Sequence, residues 1–472
     1  MTATGPDTEV GQGLLSFPPD FTWGAATASF QIEGSTTADG RGPSIWDTFA
    51  ATPGRVRGGD TGEPACDHYR RYADDVALMS RLGLGAYRFS VAWPRVQPTG
   101  AGRVEPRGLA FYDRLVDELL AHGIEPVATL YHWDLPQAME DSGGWRARDT
   151  AHRFADYAAL VHERLADRVR QWTTLNEPWC SAFLGYGNGI HAPGVVDPRG
   201  ALEAAHHLLL GHGLALRAMR GAAPADHRFS VVPNFSAVRV DVDDDRHRLA
   251  ARKVDGLQHR IFLDPLAGRG YPADVVADTA WLGDWPGVVR DGDLAVVATP
   301  VDWLGVNYYS PTRVAPASAE HVTAGPFAGL RGVALLPPRG RLTGFGWEAD
   351  ARAFTELLER LGREVAVPLV ITENGSAFPD VVAGGRVEDV ERTRYLVDHL
   401  RAVHTAIGRG VDVRGYFAWS LLDNFEWAAG YGQRFGVVHV DFGTQERTVK
   451  RSGHALAEVI RHNAVPADDR LG

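Results

Sequence analysis

Eight short apolar runs rich in Val, Phe, Tyr and Trp alternate along the chain with segments of helical periodicity, and that rhythm restricts the fold more than any other feature. Such alternation marks βαβ units on a parallel sheet. The runs are Phe21 to Gln31, Ala86 to Ala92, Glu125 to His132, Val169 to Asn176, Phe229 to Phe235, Val301 to Tyr308, Pro368 to Thr372 and Val413 to Trp419. Between the second and third, Tyr112, Leu115 and Leu119 trace one helical face before Gly123. Before the second, Tyr69, Tyr72, Val76, Met79 and Leu82 do the same and stop at Gly83. Eight parallel strands close a barrel, so the expected fold is α/β, a single (β/α)8 barrel with extended βα loops. Its expected bounds are 15–463, between tails at 1–14 and 464–472. No linker or internal repeat divides the 472 residues.

In such a barrel every strand's C-terminal end reaches the same face, so residues distant in sequence meet in one pocket. Six of the runs end on polar or aromatic side chains: Gln31, His132 with Trp133, Asn176 with Glu177, Asn307 with Tyr309, Glu373, and Trp419. Arg88 adds a cation inside an otherwise apolar run. The Gly- and Pro-rich stretches 311–346 and 375–391 follow the sixth and seventh runs and are expected to wall the pocket. Glu177 and Glu373 each follow an apolar strand directly. Two carboxyls facing across a sugar-sized pocket are what glycoside hydrolysis requires, one protonating the leaving oxygen and one attacking or stabilising the anomeric carbon. On spacing alone, each could equally pair with an arginine at the rim.

The remaining chemistry excludes other classes. A net charge of −11 with no basic block gives nothing to hold nucleic acid or anionic lipid. The first ten residues lack a signal-peptide pattern, no later run approaches a membrane span, and a cytoplasmic protein is expected. Lys253 and Lys450 are the only lysines and neither ends a strand, which argues against a Schiff-base aldolase. His68, His132 and His191 do not group with carboxylates at ligand spacing, so no metal and no cofactor are expected. Cys66 and Cys180 read as two buried free thiols.

The words around these residues resemble the family 1 glycoside hydrolases, the β-glucosidase family, over essentially the whole chain. They are Phe-Thr-Trp-Gly-Ala-Ala-Thr-Ala-Ser-Phe-Gln-Ile-Glu-Gly at 21–34, Tyr-Arg-Phe-Ser at 87–90 and Leu-Tyr-His-Trp-Asp-Leu-Pro at 130–136. Thr-Leu-Asn-Glu-Pro at 174–178, His-Ala-Pro-Gly at 191–194 and Val-Asn-Tyr-Tyr at 306–309 follow. Ile-Thr-Glu-Asn-Gly at 371–375 and Trp-Ser-Leu-Leu-Asp-Asn-Phe-Glu-Trp at 419–427 complete the set. The resemblance implies a retaining β-glucosidase acting on small β-glucosides or oligosaccharides, with Glu177 as acid/base and Glu373 as nucleophile about 5 Å apart. A separation near 9 Å would imply inversion instead. Arg88 is the implied cation for Glu373, with Tyr309 beside it and Asn307 holding the nucleophile's loop.

Gln31, His132, Asn176, Glu426 and Trp427 are implied to bind sugar hydroxyls, with Trp419 as platform and Trp133 and Phe435 beside it. Asn176 is aimed at the 2-hydroxyl. An anionic Glu426 would repel a sugar 6-phosphate, which disfavours a 6-phospho-β-glucosidase. Both carboxylates are present, which disfavours a non-catalytic sugar-binding relative. Trp347 matches the aglycone-side tryptophan, but Ala-Asp-Ala-Arg at 349–352 departs from the family's continuation and leaves aglycone preference open. Glucose against galactose or fucose, transglycosylation, and monomer against homo-oligomer also stay open.

Overall fold

The computed structural model describes residues 13–323, 325–327 and 329–468. Eight strands form its centre: β1 (Thr22–Ala26), β2 (Ala86–Ser90), β3 (Glu125–Tyr131), β4 (Gln171–Asn176), β5 (Arg228–Val232), β6 (Trp303–Tyr308), β7 (Leu369–Asn374) and β8 (Val413–Trp419). Each pairs in parallel with the next, and β8 returns to β1, which closes the barrel. β2 and β6 are buried along their whole length, because helices cover the outside while side chains fill the inside. That double burial is why these strands read as near-continuous apolar runs.

The helices His68–Arg81 and Pro106–Ala121 lie where their periodicity places them. The second begins on Pro106, whose missing N–H costs nothing in a first turn, and the Glu105 side chain accepts from Arg107 N–H. Arg148–Leu165, Pro198–Arg220, Ala351–Glu364 and Val390–Gly408 complete much of the outer ring. Among the described residues no helix is long and apolar enough to cross a membrane.

Three boundaries differ from expectation for physical reasons. β1 ends at Ala26, and Gln31 sits on a single helical turn, Ser29–Ile32, whose first N–H donates to Ser90 Oγ at 2.7 Å. β5 breaks at Pro233, which has no N–H for the ladder, and Asn234–Phe235 resume pairing with β6. The C-terminal end, expected to be loose from 464, instead pairs Ala464–Pro466 antiparallel with Leu14–Ser16. Ala464 and Val465 are buried there.

Candidate active site

The register of the barrel slips between Thr173 and Asn176 on β4 against β5, between Ile371 and Glu373 on β7 against β6, and twice along β7 against β8. An irregularity of this kind re-aims the side chains that follow it. Glu373 lies on β7 just past its slip, and Glu177 follows the end of β4 with φ of 44°, its N–H donating to Val232 O on the neighbouring β5 at 2.7 Å. Trp133 and Trp427 also hold positive φ, 76° and 50°. For residues with a Cβ this conformation costs on the order of 1 kcal/mol or more each, and such strain concentrates where side chains must face a ligand.

The two carboxyls are joined through one continuous network. Arg88 Nη1 donates to Glu373 Oε1 at 2.8 Å, and Arg88 Nη2 donates to Asn176 Oδ1 at 2.7 Å. Tyr309 OH donates to the other oxygen of Glu373 at 2.7 Å. Asn307 Nδ2 donates to Glu177 Oε1 at 2.8 Å and to Asn176 Oδ1 at 3.1 Å, while its Oδ1 accepts from Thr372 Oγ1 at 2.7 Å. Cys180 Sγ donates to Glu177 Oε2 at 3.0 Å. Because Asn176 Oδ1 accepts from Arg88, its amide is oriented, and Nδ2 donates to His132 Nε2 at 2.9 Å. The His132 hydrogen is therefore on Nδ1, which is buried without a protein partner. Burial and the Arg88 charge hold this imidazole well below its usual range, so it is neutral.

Charge separates the two glutamates. Burial, then the charge of Glu373, pushes Glu177 up to about 7, and its own donors, an amide and a thiol, are neutral. Burial raises Glu373 as well, but a guanidinium and a phenol hold its oxygens and oppose that rise. When the pair carries one proton, that proton belongs on Glu177. Glu426 is pushed up to about 8 by desolvation and by both neighbouring carboxyls. That rise favours its acid form near neutral pH, whereas the sequence predicts an anion.

The carboxyls open on a cavity of about 560 Å³. His132, Trp133, Tyr309, Trp347, Trp419, Glu426, Trp427 and Phe435 line it with Glu177 and Glu373. Trp133 and Trp427 pack with ring centroids 4.6 Å apart, and Trp347 stacks on Phe345 at 4.4 Å. Gln31, Asn176, Asn307 and Arg88 are buried behind this wall rather than on it. Gln31 Nε2 donates to Asn424 Oδ1, Phe425 O and Glu426 Oε2, which couples the Ser29–Ile32 turn to the loop after β8. From 311–346 the wall takes Thr312, Pro326 and Phe345, but no described residue of 375–391 lines it. That second stretch turns away because the Asp380 carboxyl is held by Arg392 and Lys450, on the outer side of the barrel end. Trp179, His191, Asn234, Gln258 and Phe345 line the cavity without having been singled out from the sequence. Of these, His191 lay in a quoted motif, Asn234 stood next to the end of the fifth run, and Trp179, Gln258 and Phe345 carried no strand-end signal.

Residues 15–465 match the model of Glycosyl hydrolase family 1. The chain belongs to that family. It is 53% identical over 459 residues to thermostable beta-glucosidase B of Thermobispora bispora, covering 96% of this chain and 92% of that protein. It is 48% identical over 455 residues to a bifunctional beta-D-glucosidase/beta-D-fucosidase of Bifidobacterium breve, covering 93% and 96%. Among solved structures, the beta-glucosidase of Thermotoga maritima in complex with glucoimidazole superposes with a TM-score of 0.89 at 42% identity, covering 95% of this chain and 99% of that one. In this family 1 chain no group of three or more His, Cys, Asp or Glu among the described residues is arranged to hold a metal ion.

Proposed function

We propose that this protein is a retaining β-glucosidase that removes the terminal non-reducing glucosyl residue of small β-glycosides, with Glu177 as acid/base and Glu373 as nucleophile. The observation that carries the assignment is the asymmetry of donors: a cation and a phenol on Glu373, an amide and a thiol on Glu177. In the first step the Glu177 hydrogen passes to the glycosidic oxygen as the C–O bond breaks. The Glu373 carboxylate attacks the anomeric carbon from the opposite face and forms an α-linked glycosyl ester. In the second step Glu177, now a carboxylate, takes a proton from water, the water oxygen attacks the anomeric carbon, and Glu373 is released with net retention. Asn176, behind the wall, orients the His132 ring and one arm of Arg88, and so acts on the sugar through groups nearer to it. His132 Nδ1–H and Glu426 offer further polar contacts, and Trp419 presents a ring face to the pyranose C–H groups.

A phosphorylated sugar fits this pocket poorly. At the glycone end a phosphate would meet the Glu373 charge, and both terminal nitrogens of Arg88 are committed to Glu373 and Asn176, which leaves Arg57 as the arginine on the cavity wall. The name of the Bifidobacterium breve relative supports a second activity on β-fucosides, which lack the 6-hydroxyl and carry the 4-hydroxyl axial.

The assignment of Glu177 is tested by its pH dependence and by rescue. The acid form is the active one, so kcat/KM on an alkyl glucoside is expected to fall as pH rises through about 7. Glu177→Ala is expected to lose this alkaline limb and, when azide is supplied, to yield the β-glycosyl azide with an activated aryl glucoside, because azide then completes the second displacement. An α-azide from this variant would exchange the two roles.

A further inference from the structure

The thiol on Glu177 has a part in the proton transfer that the sequence did not assign, and the argument rests on the reading of Glu177 as the acid/base. Asn307 cannot turn over: its Nδ2 donates to Asn176 Oδ1, an oxygen that Arg88 already fixes as an acceptor, so the same nitrogen faces Glu177 Oε1 and can only donate. A proton on Oε1 would set hydrogen against hydrogen. The acid form of Glu177 therefore carries its hydrogen on Oε2, the oxygen 3.0 Å from Cys180 Sγ. A thiol both donates and accepts weakly, so it can serve either state of that oxygen.

We propose that Cys180 is a positioning residue for Glu177, donating its S–H to Oε2 when Glu177 is a carboxylate and rotating to accept the Oε2 hydrogen when Glu177 is an acid. The sulfur keeps its own hydrogen throughout. The transferred proton moves from Oε2 to the leaving oxygen and returns to Oε2 from water. Cys180 and Glu177 both line the cavity, so the oxygen so held is at its surface. Cys180 N–H donates to Glu177 O at 2.9 Å, which pins the thiol three residues beyond the carboxyl it serves. Desolvation and the facing carboxyls push the thiol well above its ordinary range, so it stays protonated. Glu373, Arg88, Tyr309 and Glu426 also face Glu177, and none of their side chains hydrogen-bonds Oε2.

The test compares leaving groups. Dinitrophenolate departs without a proton, so kcat/KM on 2,4-dinitrophenyl β-glucoside reports the barrel and Glu373, whereas octyl β-glucoside needs the acid. Cys180→Ala is expected to lose about 10-fold on the octyl glucoside and no more than about 2-fold on the dinitrophenyl glucoside. Its alkaline limb is expected to move to higher pH, because the carboxylate has lost a donor. Cys180→Ser, whose hydroxyl donates and accepts, is expected to recover most of the octyl activity. Equal losses on both substrates, an unmoved alkaline limb, or no recovery by serine would overturn the proposal. Glu177→Ala in the same assay separates the two readings: if it too loses equally on both substrates, the assignment of Glu177 fails, whereas failure confined to the Cys180 variants leaves that assignment standing.

Discussion

Glu373→Gly is expected to lower kcat/KM on 4-nitrophenyl β-glucoside on the order of 10⁵-fold and, with azide supplied, to give α-glucosyl azide. Arg88 and Tyr309 hold the Glu373 carboxylate, which in the proposed mechanism attacks from the side opposite Glu177. Removing it leaves no covalent route and opens space from which a small anion can attack directly. One displacement inverts, so the product is α, and Glu177 still protonates the leaving group. Glycine is preferred to glutamine for this purpose, because an amide would fill the space and block the azide. Product configuration by NMR decides the matter, and a β-azide from this variant would contradict the assigned role.

Arg88→Met is expected to damage both stability and catalysis. Arg88 is buried, with one arm on Glu373 and the other on Asn176. Removing one partner of a buried ion pair costs about 3–5 kcal/mol, because the remaining charge has no counterion. Glu373 is already raised by burial, and without the guanidinium it rises further. The nucleophile works only as a carboxylate, so the acid limb of kcat/KM moves to higher pH, and activity at pH 6 falls roughly 10²-fold or more. Arg88→Lys is expected to restore the charge and part of the acid limb but not the second arm, since an ammonium does not hold both oxygens in one plane. Thermal unfolding together with a pH–rate profile reads both effects. An unchanged acid limb in Arg88→Met would contradict the role given to this cation.

The barrel was legible because parallel strands buried on both faces write themselves as apolar runs, and each of the eight runs overlaps a barrel strand. Their ends were less legible. Ala26 to Gln31 is an unbroken stretch of small and apolar residues, and nothing local announces that the chain leaves the sheet at Ala26; the turn is fixed by Ser90, a residue of the neighbouring strand. The same holds in the site. Glu177, Glu373 and Trp419 project from strand ends, where position alone points to a pocket. Cys180 and Trp179 lie on the wide helical segment that follows Glu177, and Gln258 comes from a similar segment after Asp255, so their approach depends on tertiary packing. The upward push on Glu426 was also hidden, because it comes from burial in the folded site and from the carboxyls of Glu373 and Glu177, which are distant in sequence. The stretch 375–391 was composed like a pocket wall, yet its Asp380 is held by Lys450 in a fully buried ion pair between residues far apart in sequence.

The central claim is that Glu373 carries the sugar between the two steps. Incubation with 2-deoxy-2-fluoro-β-glucosyl fluoride slows release of the glycosyl-enzyme, and peptide mass spectrometry after digestion locates the label. The account predicts one fluoroglucosyl group per chain, attached to Glu373 and lost when a sugar acceptor is added. A label on Glu177, or full inactivation with no label on either glutamate, would contradict it.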